Sequence, residues 1–212
     1  MGVAKILIAV PTYETIYPDT FKAIYDLDVA GVAPVFEFVR GYDVAQARNK
    51  IALRALEIGA DYVLMIDNDV IPPRDALQNL LSHGVDVCLG AYAHRGSKNI
   101  YDGASCLCKL GEFNYTMQYS ARELIDLAHG GEILEHIHGG GMGCALIKTD
   151  VFRRIAYPWF RWTCYDDKRQ LSEDLYFCEQ CRKNKIPIYA DPRVRCGHIF
   201  RYIQDLEDID DD

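Results

Sequence analysis

An apolar run, Tyr62 to Ile66, ends abruptly in Asp67-Asn68-Asp69, with Pro72 and Pro73 close behind. Two carboxylates on one tight turn repel each other unless a cation sits between them. Hard divalent cations take oxygen ligands and are often held by one or two carboxylates plus substrate phosphates. The plain alternative is a solvated turn whose aspartate starts the next helix. A second acidic pair, Glu173-Asp174, follows Ser172 at the start of a helical pattern, where the helix dipole alone favours acids. His198 follows Gly197 near the end of the chain, and a nitrogen ligand suits manganese better than calcium. Arg48 lies on the same helical face as Val44, Ile51 and Ala55. An arginine on a buried face needs an anionic partner. Either it pairs with Asp67 or Asp43, or it faces a bound nucleotide or another site carboxylate.

These residues need elements to position them, and the pattern supplies them. Continuous apolar runs at 5–10, 34–39, 62–66 and 85–90 have strand length and read as strands covered on both faces. Residues 43–59 form a helix with Asp43 as N-cap, Gln46 completing a capping box and Gly59 ending it. A second helix spans 73–83 and stops at Gly84. Alternating buried strands and amphipathic helices predict a three-layer α/β fold with a mostly parallel central sheet. Beyond residue 100 the pattern is less regular. It gives a hairpin over 100–120, a short helix at 121–128, a strand at 143–147 after the glycine-rich 139–143, and a helix at 172–184 capped by Ser172. A last strand lies at 187–191.

In open α/β sheets, ligands bind at the carboxyl ends of the strands. Pro11, Thr12 and Tyr13 leave the first strand at that edge, as Asp67 and Asp69 leave the third and His94, Arg95 and Lys98 leave the fourth. The last three are either phosphate or acceptor contacts or a solvated basic loop. Trp159, Phe160 and Trp162 form an aromatic cluster that either stacks on sugars or fills the core.

Taken together, "KILIAVPTYE", "VAQARNKIALRAL", "YVLMIDNDVIPP", "GGGMGCALIKTDVF", "SEDLYFCEQCRKNKIPIYAD" and "CGH" resemble, in order, the motif series of a family 2-like GT-A-fold glycosyltransferase carrying a D-x-D motif. The resemblance implies a Rossmann-like GT-A fold over roughly residues 3–200. It implies transfer of a sugar, of the hexosyltransferase type, from a nucleoside diphosphate sugar to an acceptor hydroxyl. Under it Asp174 is the catalytic base and Glu173 helps to hold donor or acceptor. Pro11, Thr12, Tyr13, Arg48, Asp67, Asn68 and Gly141 border the donor. Asp67, Asp69 and His198 hold Mn²⁺ or Mg²⁺.

Composition narrows the rest. The net charge is −8, yet the last eight residues carry six of the 31 acids and no base, so the body is close to neutral. Residues 1–204 read as one domain and 205–212 as a frayed acidic tail. No basic stripe suggests nucleic-acid binding. No apolar run is long enough to span a membrane, and the expectation is a cytoplasmic chain. The eight cysteines are scattered and read as buried small hydrophobes; a zinc or redox module is the rival. A nucleotidyltransferase is disfavoured, because residues 11–21 hold neither glycine nor a basic residue. A nucleotide-sugar-binding protein without turnover is the other alternative. The acceptor half is short, so a partner chain or a second copy in a homo-oligomer would have room to complete it.

Overall fold

The computed structural model describes residues 2–94, 104–111, 116–131 and 133–200. The chain order is β1 (Ala4–Thr12), α1 (Pro18–Tyr25), β2 (Val32–Arg40), α2 (Val44–Ile58), β3 (Tyr62–Ile66), β4 (Val70–Ile71), α3 (Ala76–Ser82), β5 (Val87–Ala91), β6 (Ala104–Leu110) and β7 (Thr116–Ser120). It continues through α4 (Ala121–Gly130), β8 (Gly139–Gly140), β9 (Cys144–Lys148), α5 (Val151–Arg154), β10 (Thr163–Cys164), β11 (Gln170–Leu171), α6 (Glu173–Lys183), β12 (Ile188–Arg195) and β13 (Gly197–His198). Arg95, Lys98 and the acidic tail lie outside the described residues.

Six strands form the central sheet in the order β12-β5-β9-β3-β1-β2. Five are parallel; β9 runs against both of its neighbours, β3 and β5. This is a mostly parallel, Rossmann-like GT-A architecture in three layers. The apolar runs are continuous because both faces are covered. Along β1, Leu7 and Ala9 pack with Ile51, Ala52 and Ala55 of α2, while Ile6, Ile8 and Val10 pack with Ile24 of α1 and Leu77 and Leu80 of α3. Phe152 of α5 and Phe177 of α6 join the α2 side.

Helix ends depart from expectation in instructive ways. Asp43 caps α2 by accepting from the Gln46 N–H at 2.7 Å, and Gly59 ends it in the left-handed region. The Gln46 side chain reaches back one residue further than a capping box requires and accepts from the Tyr42 N–H. Helix α3 starts at Ala76 rather than 73, since Pro72 and Pro73 lead into a turn closed by Ala76 N–H to the Pro73 carbonyl. Ser172 occupies the N-cap position of α6, but its side chain makes no backbone cap.

Asn49 ties this core to the chain that follows β9. Its Nδ2 donates to the Ala45 and Phe160 carbonyls, and its Oδ1 accepts from the N–H groups of Trp159 and Phe160. It is buried. Asn49→Ala would strand two buried N–H groups, each costing about 1–3 kcal/mol. The expected loss is about 2–6 kcal/mol, with melting lowered roughly 2–4 °C per kcal/mol for a chain of this size. A thermal melt within 1 °C of the parent would refute the clamp.

Candidate active site

Strands that run parallel end on one edge of the sheet, and β9, running the other way, begins there. That edge holds a cleft of about 630 Å³. Pro11, Thr12 and Tyr13 reach it from β1, Gly41 to Asp43 from β2, Asp67 to Asp69 from β3, Tyr92 and His94 from β5, and Gly141 from the loop before β9. Arg48, Glu173, Asp174 and His198 complete it, so each residue expected at a donor or metal site lines the same cavity.

Arg48 is the hub. One guanidinium nitrogen, Nη2, donates to both oxygens of Asp67 at 2.8 and 3.0 Å; Nη1 donates to Glu173 Oε1. The two readings of Arg48 merge here: the ion pair is with Asp67, and its second partner is a site carboxylate. Asp43 is the alternative partner that the structure does not use. Burial alone would lower the Arg48 pKa, but Asp67 and Glu173 outweigh it and raise it, so Arg48 stays charged. Glu173 is buried, and that burial raises its pKa against the opposing pull of Arg48.

Tyr92 was not singled out by sequence, yet it shapes the centre of the cleft. Its hydroxyl accepts from the Gly143 N–H at 3.1 Å. A Cβ at Gly141 would sit 2.1 Å from that hydroxyl, and one at Gly143 would sit 2.9 Å from it and 3.0 Å from an Asp67 oxygen. The glycines are therefore required by close approach to a ring and a carboxylate. Burial holds the Tyr92 phenol well above its ordinary pKa. Asn68 works on the other wall: its Nδ2 donates to the Thr15 carbonyl, and its own carbonyl accepts from the Tyr17 N–H. Thr12 also donates to Thr15, so the β1 exit loop is pinned while the Tyr13 ring stays exposed.

His198 arrives 129 residues after Asp69 through the antiparallel pair β13–β4, in which His198 faces Val70 and Ile199 N–H donates to the Asp69 carbonyl. The ring is held by Nδ1 against the Ala93 carbonyl at 2.7 Å, and Nε2 stands 3.7 Å from Asp69 Oδ1. A carbonyl only accepts, so Nδ1 carries the proton and, in the neutral ring, Nε2 presents its lone pair toward Asp69. Such a second contact on the far nitrogen is how a metal-ligating histidine is oriented. Asp69 and His198 thus have a donor set that fits a divalent cation. The carboxylate of Asp67 is engaged on both oxygens by Arg48, and no cluster of three His, Cys, Asp or Glu side chains is poised for a metal among the described residues.

At the start of α6, Asp174 Oδ1 accepts from the Ser172 hydroxyl and from the Leu175 N–H at 2.7 Å. Asp174 lines the cleft, while Glu173 beside it is buried against Arg48. The aromatic cluster divides: Trp159 and Phe160 are core, and Trp162 is 59% exposed at the cleft mouth. Six of the eight cysteines are buried and all are free thiols; burial raises the Cys88 pKa to about 12.

Solved structures share this fold, among them the following two. The protein A197 from STIV aligns at a TM-score of 0.63 and 19% identity over 93% of this chain and 86% of its own. S. aureus TarS 1–349, solved in complex with UDP-GlcNAc, aligns at 0.53 and 13% identity over 94% of this chain. This chain spans 60% of that TarS structure. At these identities the likeness is one of fold. No protein-family model matches the sequence, and no curated protein does either. No helix among the described residues is long and apolar enough to cross a membrane.

Arg48→Met would leave Glu173 and Asp67 without their shared cation, and breaking a buried pair costs about 3–5 kcal/mol. A carboxyl whose folded pKa is raised is bound to more protons in the native state than in the unfolded one. Stability therefore falls as pH rises above the ordinary glutamate value of 4.5. Removing Arg48 raises Glu173 further, so the stability deficit of the variant should be larger at pH 8 than at pH 5. Denaturation midpoints at both pH values test this; an equal deficit at the two would remove Glu173 from the account.

Proposed function

We propose that the chain is a glycosyltransferase that takes a nucleoside diphosphate sugar in the cleft and passes the sugar to an acceptor hydroxyl. What carries the reading is that all six of the motif segments quoted from the sequence contribute residues to one cavity at the carboxyl edge of a GT-A-like sheet. The likeness in fold to a structure holding UDP-GlcNAc adds support.

Tyr13 and the pinned β1 loop border the nucleoside, with an exposed ring able to stack on a base. Asp69 and His198 would hold Mn²⁺ or Mg²⁺, which supplies charge neutralisation on the departing diphosphate. Asp67, locked by Arg48, fixes the turn that presents Asp69. Of the two acids on α6, Asp174 is the base, because Glu173 is buried and spent on Arg48. In an inverting transfer Asp174 accepts the acceptor proton. The acceptor oxygen then bonds the anomeric carbon as its bond to the diphosphate oxygen breaks, and the nucleoside diphosphate leaves with the electron pair.

Asp174→Asn keeps the acceptor oxygen for Ser172 and Leu175 but cannot take a proton. Transfer should fall by roughly 10²–10⁴ while UDP binding is kept. Unchanged turnover would take the base role away from Asp174. For the cation, His198→Ala and Asp69→Ala should each abolish the manganese-dependent part of UDP binding measured by calorimetry. Manganese dependence kept in both variants would rule out this ligand pair. Donor binding with neither transfer nor slow hydrolysis would make the protein a nucleotide-sugar binder instead.

A further inference from the structure

Outside the cleft, between the outer face of α2 and the chain at 157–162, lies a second concavity of about 600 Å³. It meets the first at Asp43 and Trp162, which line both. Its apolar wall brings together Trp162, 59% exposed, Tyr157, 64%, and Leu53, 49%. Exposed apolar side chains gathered in one concavity and rimmed by polar ones mark binding sites. The rings are held, not loose. Trp162 continues directly from Trp159 and Phe160, whose backbone N–H groups are clamped by Asn49, and Tyr157 packs edge-on against Trp159 at 5.3 Å.

Apart from Asp43, whose carboxylate accepts the Gln46 N–H as the cap of α2, the polar part of the wall consists mainly of donors. Gln46 uses its Oε1 on the Tyr42 N–H, which directs its amide N–H groups elsewhere. Lys50 spends one N–H on the Arg40 carbonyl; Arg161 spends Nε on Thr163 and stacks its guanidinium over the Tyr176 ring at 4.6 Å, so both are held in place with further N–H groups at their edges. Aromatic faces are electron-rich and attract polarised C–H groups. A pyranose offers a face of such C–H groups and a rim of hydroxyl and ring oxygens that accept hydrogen bonds. Rings flanked by donors therefore match a saccharide better than a peptide, whose own N–H groups would meet few acceptors here.

We infer that this concavity binds an oligosaccharide, with one pyranose stacked on Trp162 at the seam so that the next residue along enters the cleft beside Asp174. That the saccharide is the acceptor rests on the transferase reading above; that the groove holds a saccharide does not.

The sequence contains two tryptophans. Trp159 is buried, with Nε1 donating to the Phe152 and Ile155 carbonyls, so a saccharide in the groove should alter only the emission of Trp162. The full chain would be screened on a glycan array, and the strongest oligosaccharide titrated by tryptophan fluorescence and calorimetry, with and without UDP and manganese. The expected result is a saturable shift of emission, unaffected by UDP. Trp162→Ala should weaken saccharide binding at least tenfold with an unchanged melting temperature, and Trp162→Phe should keep most of it. No glycan bound on the array, or saccharide displaced one-for-one by UDP, would overturn the groove. Saccharide binding without any UDP binding would uphold the groove and defeat the transferase reading instead.

Discussion

One guanidinium holds the cleft together. Arg48 projects from α2, Asp67 from the end of β3 and Glu173 from the start of α6, three elements that make no local contact in sequence. Two buried or half-buried carboxylates this close would repel, and each would pay for lost hydration. Arg48 satisfies both at once through its planar fork, which a lysine would not reproduce. Because an ion pair of this kind tolerates little displacement, it fixes the distance between the aspartate turn and the acidic helix start. The positions of Asp69 and Asp174 follow from it, Asp69 lying two residues beyond Asp67 on one turn and Asp174 directly after Glu173.

The same logic explains the glycines. The antiparallel β9 must enter the sheet between β3 and β5 from the ligand edge, so its lead-in passes directly beneath the Tyr92 ring and the Asp67 carboxylate. With no room for a Cβ at 141 or 143, the backbone itself becomes the floor of the cleft, and Gly143 lends its N–H to Tyr92 and its carbonyl to the Asp67 N–H. A reversed strand in a parallel sheet is thus the reason why a glycine-rich loop ends up at the site.

Much of this was legible in the sequence, and the reasons for the gaps are physical. Continuous apolar runs report burial on two faces, so β3 and the sheet class could be read directly, and Asp43 and Gly59 mark α2 because caps depend on local chemistry. Strand direction carries no such signal: the residues of β9 alternate between the same two cores whichever way it runs. Tyr92 is silent for a related reason, as a lone tyrosine at a strand end has no pattern; only the cramped glycines opposite hinted at a large neighbour. Ser172 misled because serine before an acidic turn promises a cap, whereas the Leu175 N–H it would accept from is taken by the Asp174 carboxylate, to which the Ser172 hydroxyl itself donates. Asn49 read as part of an Ala-Arg-Asn motif, but three of its four side-chain hydrogen bonds bind the Trp159-Phe160 backbone.

That last division of labour has a consequence for how the cleft is completed. Adjacent residues of one helix, Arg48 and Asn49, face different ways around α2. Arg48 orders the charged interior of the cleft, and Asn49 orders the aromatic segment that forms its outer lip. The segment then runs through Trp162 and the short β10–β11 hairpin, where Tyr165 and Arg169 both bond Glu179 of α6, and returns to Ser172 and the acidic pair. The lip and the acids are therefore two ends of one loop, anchored at the first end by Asn49 and at the second by Arg48. A single turn of α2 sets the spacing between the exposed indole and the oriented Asp174 carboxylate, and through them the width of the opening by which anything large reaches the cleft.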